Sequence, residues 1–233
     1  IILIDDNGTP FDSSDDRAIG RNNWTTQKGQ LFTPETILSI IQDSKGRIWM
    51  ATDQGIAIID TIDYFTSDHC IRPEVMDNNG TNPMTSLRIE ALCLDTKGQI
   101  WVGTQTGLFI IPAGVDFFTS NSCKRIIIPR NDGTNLGDYL LGNEQINCIA
   151  ADGGSRMWIG TANSGLYLIE DDTITVAHFT ETNSLLPSNN ILSIAIMPTT
   201  GEVFVGTAKG IASYRSNAGA PKEDLSQAYA FPN

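Results

Sequence analysis

The sequence is poor in charge and in reactive side chains. Only 18% of its 233 residues are charged, and it has two histidines, five methionines and four cysteines. None of the cysteines forms a Cys-x-x-Cys pair, which removes the spacing that zinc sites and dithiol redox centres need. Basic residues are scarcer than acidic ones, 15 against 27, for a net charge of −12. A chain of that sign repels phosphate, so nucleic acid is excluded as a natural partner. No apolar run approaches the roughly 18 residues of a membrane-spanning helix. The patterns Gly-x-Ser-x-Gly, His-Glu-x-x-His, Gly-x-Gly-x-x-Gly and the phosphate-binding loop are missing, and with them the usual nucleophile, metal and phosphate devices. The chain begins Ile1-Ile2-Leu3-Ile4 with no methionine and no basic, apolar leader. This reads as an internal piece of a longer protein, or a processed one.

Glycine, at 21 residues, is plentiful, and its placement is periodic. Four segments align: Ile37 to Asp60, Ile89 to Pro112, Ile146 to Glu170 and Ile191 to Arg215. Their aromatic anchors are Trp49, Trp101, Trp158 and Phe204, spaced by 52, 57 and 46 residues. A small residue and a threonine follow each anchor: Thr52, Thr104, Thr161 and Thr207. A glycine then recurs at Gly55, Gly107, Gly165 and Gly210. Self-similarity of this length is the mark of a repeat architecture.

Each copy reads as three strands. The first alternates apolar residues and ends at Asp43, Asp95 or Asp152, with Met197 standing at this place in the fourth copy. Asp43-Ser44-Lys45-Gly46 is a turn, because the aspartate accepts a nearby backbone N–H and the glycine adopts positive φ freely. The second strand runs from Ile48 to Thr52, a turn ends at Gly55, and the third runs from Ile56 to Ile59. A fourth strand is expected in each connection, at Tyr64–Ser67, at Phe117–Ser120 and at His178–Thr180. The unit is therefore a four-stranded antiparallel sheet of about 50 residues, the signature of a β-propeller. The tryptophan is expected to fill the space between neighbouring blades, and the small residue two places on to admit the adjacent sheet.

The fold class is thus all-β, an incomplete propeller of about four and a half blades. Residues 1–36 form a partial blade, in which Ile1 to Asp5 matches the third strand Ile56 to Asp60 and a fourth strand is expected at Trp24–Thr26. Full blades are expected at 37–88, 89–145, 146–190 and 191–215. Residues 216–233 read as a linker into a further domain. The remnant and the last blade do not complete each other. Either upstream blades are missing, or exposed blade edges pair with another chain.

These residues resemble the two-component regulator propeller repeat, whose unit reads roughly Asp-x-x-Gly-x-[Ile/Leu]-Trp-[Ile/Val]-Gly-Thr followed by Gly-[Ile/Leu]. Asn183 to Ile191 resembles that family's lead-in to its first strand. The resemblance covers Ile37 to Arg215 and implies an envelope protein of Bacteroidota, periplasmic or at the cell surface. Such repeats form sensor regions of hybrid two-component histidine kinases, and they occur in a surface protein of the Por (type IX) secretion system. Ala230-Phe231-Pro232-Asn233 is similar to the start of the C-terminal sandwich of secretion-associated proteins, which favours the secretion reading over the sensor.

The remaining candidates have plainer readings. His69 and His178 sit near connections two repeats apart, so structural or solvated roles outweigh a metal or catalytic site. Asp5–Thr9, Asp77–Thr81 and Asn131–Thr134 look like calcium loops, yet lack the twelve-residue pattern with its terminal glutamate. Ordinary turns are the stronger reading. Asp12, Asp15 and Asp16 read as a solvated loop. No cofactor and no metal is expected. The leading function is a non-catalytic module that recognises a protein or polysaccharide of the cell envelope. The connections Thr61–Arg88 and Ala113–Gln145 are its expected recognition surfaces. A propeller lyase or hydrolase is the third reading, and it would need a carboxylate, histidine or tyrosine set at a central mouth.

Cys70 and Cys123 fall at equivalent places in adjacent repeats, too far apart for a bridge, while Cys93 and Cys148 lie within first strands. Titration of the unfolded, unreduced protein is expected to find four thiols; fewer would contradict the repeat alignment.

Overall fold

The computed structural model describes residues 2–6, 8–59, 69–74, 82, 84, 87–115, 123–130, 133–134, 136–170 and 174–215. The expectations at Tyr64–Ser67, Phe117–Ser120, Asp77–Thr81, Asn131–Asp132 and 216–233 lie outside these residues. Every regular element described is a β-strand. The chain divides into two compact units, Ile1–Ile146 and Asn147–Asn233.

The first unit opens with β1 (Ile2–Asp5) and β2 (Arg17–Gly20), an antiparallel pair with Ile4 opposite Ala18. A small sheet follows, of β3 (Trp24–Thr26), β4 (Leu31–Phe32) and β8 (His69–Cys70), in the order β4-β3-β8. Two three-stranded meanders complete the unit. One comprises β5 (Ile37–Gln42), β6 (Ile48–Thr52) and β7 (Gly55–Ile59). The other comprises β9 (Ile89–Leu94), β10 (Ile100–Thr104) and β11 (Gly107–Ile111). A ribbon of β12 (Ile127–Pro129) and β13 (Gly137–Tyr139) follows them. The second unit holds a four-stranded sheet of β14 (Ile146–Ala151, whose first residue closes the first unit), β15 (Met157–Thr161), β16 (Leu166–Glu170) and β17 (Ile174–Phe179). Its last sheet is β18 (Ile191–Ile196), β19 (Glu202–Thr207) and β20 (Gly210–Arg215).

The three-strand reading of each repeat matches residue for residue at Ile48–Thr52, and the third strands begin one residue earlier than expected, at the glycine itself, in three copies. The fourth strands differ more. The strand expected around His178–Phe179 is present as β17. In the two preceding blades the outer position is held by bridges, Ile58 to Ile71 and Ile110 to Lys124.

The partial blade is also corrected. Its fourth strand is Arg17–Gly20, and Trp24–Thr26 belongs to a different sheet in which β3 runs parallel to β8. The physical reason is burial. The β1–β2 pair leaves Ile2 and Ile4 at 72% and 66% exposure, whereas Trp24 packs with Phe32 and Cys70 against Met50, Ala57 and Ile59. A large apolar ring goes where it can be covered.

Period-2 alternation gives each meander two apolar faces. In β5–β7 the forward face carries Trp49, Ala51, Ile56 and Ile58, and it packs on Ile100, Val102, Phe109 and Ile111 from the back face of β9–β11. In the second unit Trp158, Leu166 and Leu168 pack on Val203 and Val205 in the same way. The small residue after each anchor has the expected role. A Cβ on Gly103 would lie 2.6 Å from Ile146 Cγ2, and one on Gly160 would lie 2.5 Å from Ile191 Cγ2. Isoleucine at the start of a strand thus seats on the preceding glycine. Trp49, Trp101 and Trp158 are at most 1% exposed, but Phe204 is 37% exposed, so the fourth anchor does not fill an interblade space among the described residues.

Gly160→Val is expected to destabilise the chain by about 1–3 kcal/mol in urea denaturation, through overpacking against Ile191. Gly206→Ala, whose Cβ would come close only to the rotatable Ser193 hydroxyl and otherwise stand at ordinary contact distance, is expected to change stability by less than about 0.5 kcal/mol. Equal costs would contradict the glycine–isoleucine seat.

Candidate functional site

The repeat builds three local devices, and the polar surface grows out of them. The first lies at the turn between the first and second strands. Asp43 Oδ1 accepts the backbone N–H groups of Lys45 and Arg47, at 2.9 and 3.0 Å. Its Oδ2 accepts Arg47 Nε at 2.7 Å and Trp49 Nε1 at 2.9 Å. Asp95 does the same with Lys97, Gln99 and Trp101. Asp152 does so with Gly154, Arg156 and Trp158. Burial works against the Asp43 carboxylate, yet the hydrogen bonds from Trp49, Arg47 and Lys45 outweigh it and hold its pKa below the ordinary aspartate value.

The second device is the threonine. Thr52, Thr104, Thr161 and Thr207 each donate a hydroxyl to the carbonyl of the turn glycine, at Gly55, Gly107, Gly165 and Gly210. These glycines all have positive φ, from 82° to 142°, where a side chain would be strained.

The third device was not read from the sequence. A side chain from the outer strand closes over the second turn and donates to the carbonyl just before its glycine. Arg72 Nη2 donates to Gln54 O, and Arg125 Nη2 to Thr106 O at 3.5 Å and Gly142 O at 3.1 Å. His178 Nε2 lies 2.6 Å from Ser164 O. Each also lies on an aromatic face: Arg72 over Phe32 at 4.0 Å, Arg125 over Tyr139 at 4.2 Å, His178 stacked on Tyr167 at 4.0 Å. Desolvation lowers the pKa of both arginines. The available signal was the pair Cys70-Ile71-Arg72 and Cys123-Lys124-Arg125. In each the cysteine points inward, 3% and 1% exposed, and the arginine reaches the turn.

None of the four cysteines is joined in a disulfide. Burial pushes the Cys70 thiol up to about 11 and the Cys148 thiol up to about 12, so both are inert apolar fillers near neutral pH. Asp6 accepts Gly8 N and Asp12 accepts Ser14 N, as turn residues do. Among the described residues no three His, Cys, Asp or Glu side chains gather where a metal could sit.

Beside the first arginine clasp lies an open cavity of about 690 Å³. Ile56 and Met84 line it along with Lys28, Gln30, Asp53, Arg72, Glu74 and Asn82. Lys28 pairs with Glu74. Gln27 holds the Arg72 backbone through both its amide atoms, at 2.8 and 2.9 Å. Arg72 Nη1 is buried without a hydrogen-bond partner. Two cations, two anions and several amides make a surface that can engage hydroxyl and peptide groups of either polarity. Among the described residues that line it there is no paired nucleophile and base. The described part of the second expected surface, 113–145, is the ribbon β12–β13, with Ile127, Leu136 and Tyr139 half-exposed or more and Arg130 paired to Asp138.

Residues 32–54 and 83–106 match the family model described as the two component regulator propeller. No curated protein matches the chain. Among solved structures it is similar to PorZ, an essential bacterial surface component of the type-IX secretion system of Porphyromonas gingivalis, with 23% identity and a TM-score of 0.70 over 89% of this chain and 30% of that one. It is also similar to the extracellular domain of a putative hybrid two component system from B. thetaiotaomicron, with 22% identity and a TM-score of 0.58 over 80% of this chain and 23% of that one. YCF48 bound to D1 peptide shares 12% identity and a TM-score of 0.52 over 90% of this chain and 56% of that one. The chain spans less than a third of the length of the first two. Together with the strands these likenesses establish the fold class: all-β, blades of an incomplete β-propeller.

Because the folded-state pKa of Asp43 lies below its unfolded value, its contribution to stability is complete above the unfolded value and is lost as pH falls through the folded one. Asp43→Asn is therefore expected to lower the urea midpoint at about pH 7 and to approach the parent protein as pH drops below about 3.8. A gap that stays constant down to strong acid would show that the carboxylate charge does not hold this turn.

Proposed function

We propose that the chain is a non-catalytic recognition module of a bacterial cell envelope, acting in the periplasm or at the cell surface, that binds a protein or polysaccharide through the connections between its blades. The observation that carries this reading is the cavity beside Arg72. It offers Lys28, Glu74, Gln30 and Asn82 on a fixed scaffold. Rigid elements with polar groups on their connecting loops suit binding. Both histidines support the same reading: His178 is engaged with Ser164 and Tyr167, and His69 lies in β8. No helix among the described residues is long and apolar enough to cross a membrane.

Within this reading a secretion-associated surface component is favoured over a ligand-sensing region of a hybrid kinase. The larger structural overlap is with the type-IX secretion component, and Ala230 to Asn233 carries the matching segment.

The test is binding of the purified chain to a glycan array of envelope polysaccharides and to immobilised envelope proteins, alongside a turnover assay on the same glycans. Saturable binding without turnover is expected, weakened at least about tenfold by Lys28→Ala with Gln30→Ala, with folding checked by the urea midpoint. Arg72 is left intact because it clasps the turn. Turnover of any polysaccharide, lost on changing a cavity residue, would overturn the non-catalytic reading. Binding unaffected by the double variant would move the site away from the cavity.

A further inference from the structure

The aspartate turn that holds each tryptophan also sets what its neighbours present to solvent. In the first two repeats the residue two places after the aspartate is a lysine, Lys45 after Asp43 and Lys97 after Asp95. Its backbone N–H serves the turn, donating to Oδ1 at 2.9 Å in both. The third repeat makes the same bond from Gly154 to Asp152 Oδ1, also at 2.9 Å. The hairpin therefore requires no side chain at this place. Both lysines are exposed, at equivalent positions of adjacent blades.

Between those two turns lies a second cleft, of about 160 Å³, which shares no lining residue with the cavity beside Arg72. Its walls come from the turns 43–47 and 97–98 and from the exit of β11 at 111–115. The walls are close, since a Cβ on Gly98 would stand 3.5 Å from Ala113 Cβ. Its depth is apolar, lined by Trp49, Ile100 and Ile111, each at most 3% exposed.

The charge of this cleft is opposite to that of the chain. Among the described residues that line it, Lys45, Arg47 and Lys97 face a single carboxylate, Asp43, in a protein of net charge −12. That carboxylate is committed: its two oxygens accept two backbone N–H groups, Arg47 Nε and Trp49 Nε1. Lys45 has no ion-pair partner among the described residues.

Volume and lining together define an occupant. At ~30 Å³ for each water-sized group, the cleft holds about five non-hydrogen atoms, the size of a glutamate side chain. The apolar walls favour a short aliphatic stem, and the lysines favour a negative head. A glutamate has both, whereas a sulfate or phosphate group brings no stem to the apolar wall. We propose that this cleft is a second recognition site, which takes a glutamate side chain of a partner protein, its methylenes against Ile111 and Pro112 and its carboxylate between Lys45 and Lys97. The site does not depend on the cavity beside Arg72.

The test is chemical-shift mapping of the 233-residue chain with three probes at constant ionic strength. They are the acetylated, amidated peptide Gly-Ala-Glu-Ala-Gly, its Gly-Ala-Gln-Ala-Gly counterpart, and sodium sulfate. The glutamate peptide is expected to shift the amides of Lys45, Gly98 and Gly114 saturably, and less so at high salt. The glutamine peptide is expected to leave them in place. Lys45→Gln and Lys97→Gln are each expected to weaken binding by about two- to fivefold, and together by at least about tenfold. Both positions are exposed, so the urea midpoint is expected to stay at the parent value. Lys45→Arg with Lys97→Arg is expected to retain binding, and Lys28→Ala with Gln30→Ala to leave it untouched, which separates this site from the cavity. Sulfate that binds as tightly as the glutamate peptide overturns the proposal, because the stem would then contribute nothing. So do shifts that survive the double glutamine variant, equal binding of the two peptides, or no shift with the glutamate peptide.

Discussion

The hydrogen bond from a buried indole to a turn aspartate ties the parts of this protein together. A tryptophan is the largest group available to fill the space between two sheets, but its N–H cannot be buried unpaired without cost. The aspartate six residues earlier answers that need at Trp49, Trp101 and Trp158. The same carboxylate gathers two backbone N–H groups of its own turn, so one side chain links hairpin geometry to interblade packing. The fourth copy confirms the coupling by losing both partners at once. The Met197 side chain offers no carboxylate and the Phe204 ring has no N–H to donate, and that ring is 37% exposed.

From this link the rest of the blade follows. With the anchor placed, the residue two positions on must be small, since the next sheet arrives there. Gly103 and Gly160 meet isoleucine within a distance no Cβ could share. The threonine that follows ties the second turn, and an arginine or histidine from the outer strand closes over it. The framework thereby spends its hydrogen bonds internally and leaves the connections to carry chemistry. The cavity beside Arg72 is where a clasp, a charged pair and several amides come together outside the repeated frame.

Much of this was legible in the residues, because a repeat reports the same constraint several times. Trp49, Thr52 and Gly55 recur with their spacing intact, and period-2 alternation names the strands. Other features were not legible for identifiable reasons. The outer strands have little shared sequence, because their pairing uses backbone groups, and the bridges described there fall at Ile71 and Lys124. Trp24 read as a strand of the partial blade, but no local pattern says which sheet will bury it. The clasp was visible only as Cys-x-Arg in two copies, and its third member, His178, shares neither residue type nor spacing with the others. The cavity left no trace in the sequence, since Lys28 and Glu74 are 46 residues apart.

The sequence by itself determined the class of fold, the length of the unit and the turn glycines, because each rests on local geometry repeated at a fixed period. Only the tertiary structure decided which faces are covered, what Arg72, Arg125 and His178 hold, and where a cavity opens. Those outcomes depend on which distant segments meet. Burial is not a property of a residue but of its neighbours, and the same isoleucine pattern is sealed at Ile59 and left bare at Ile4.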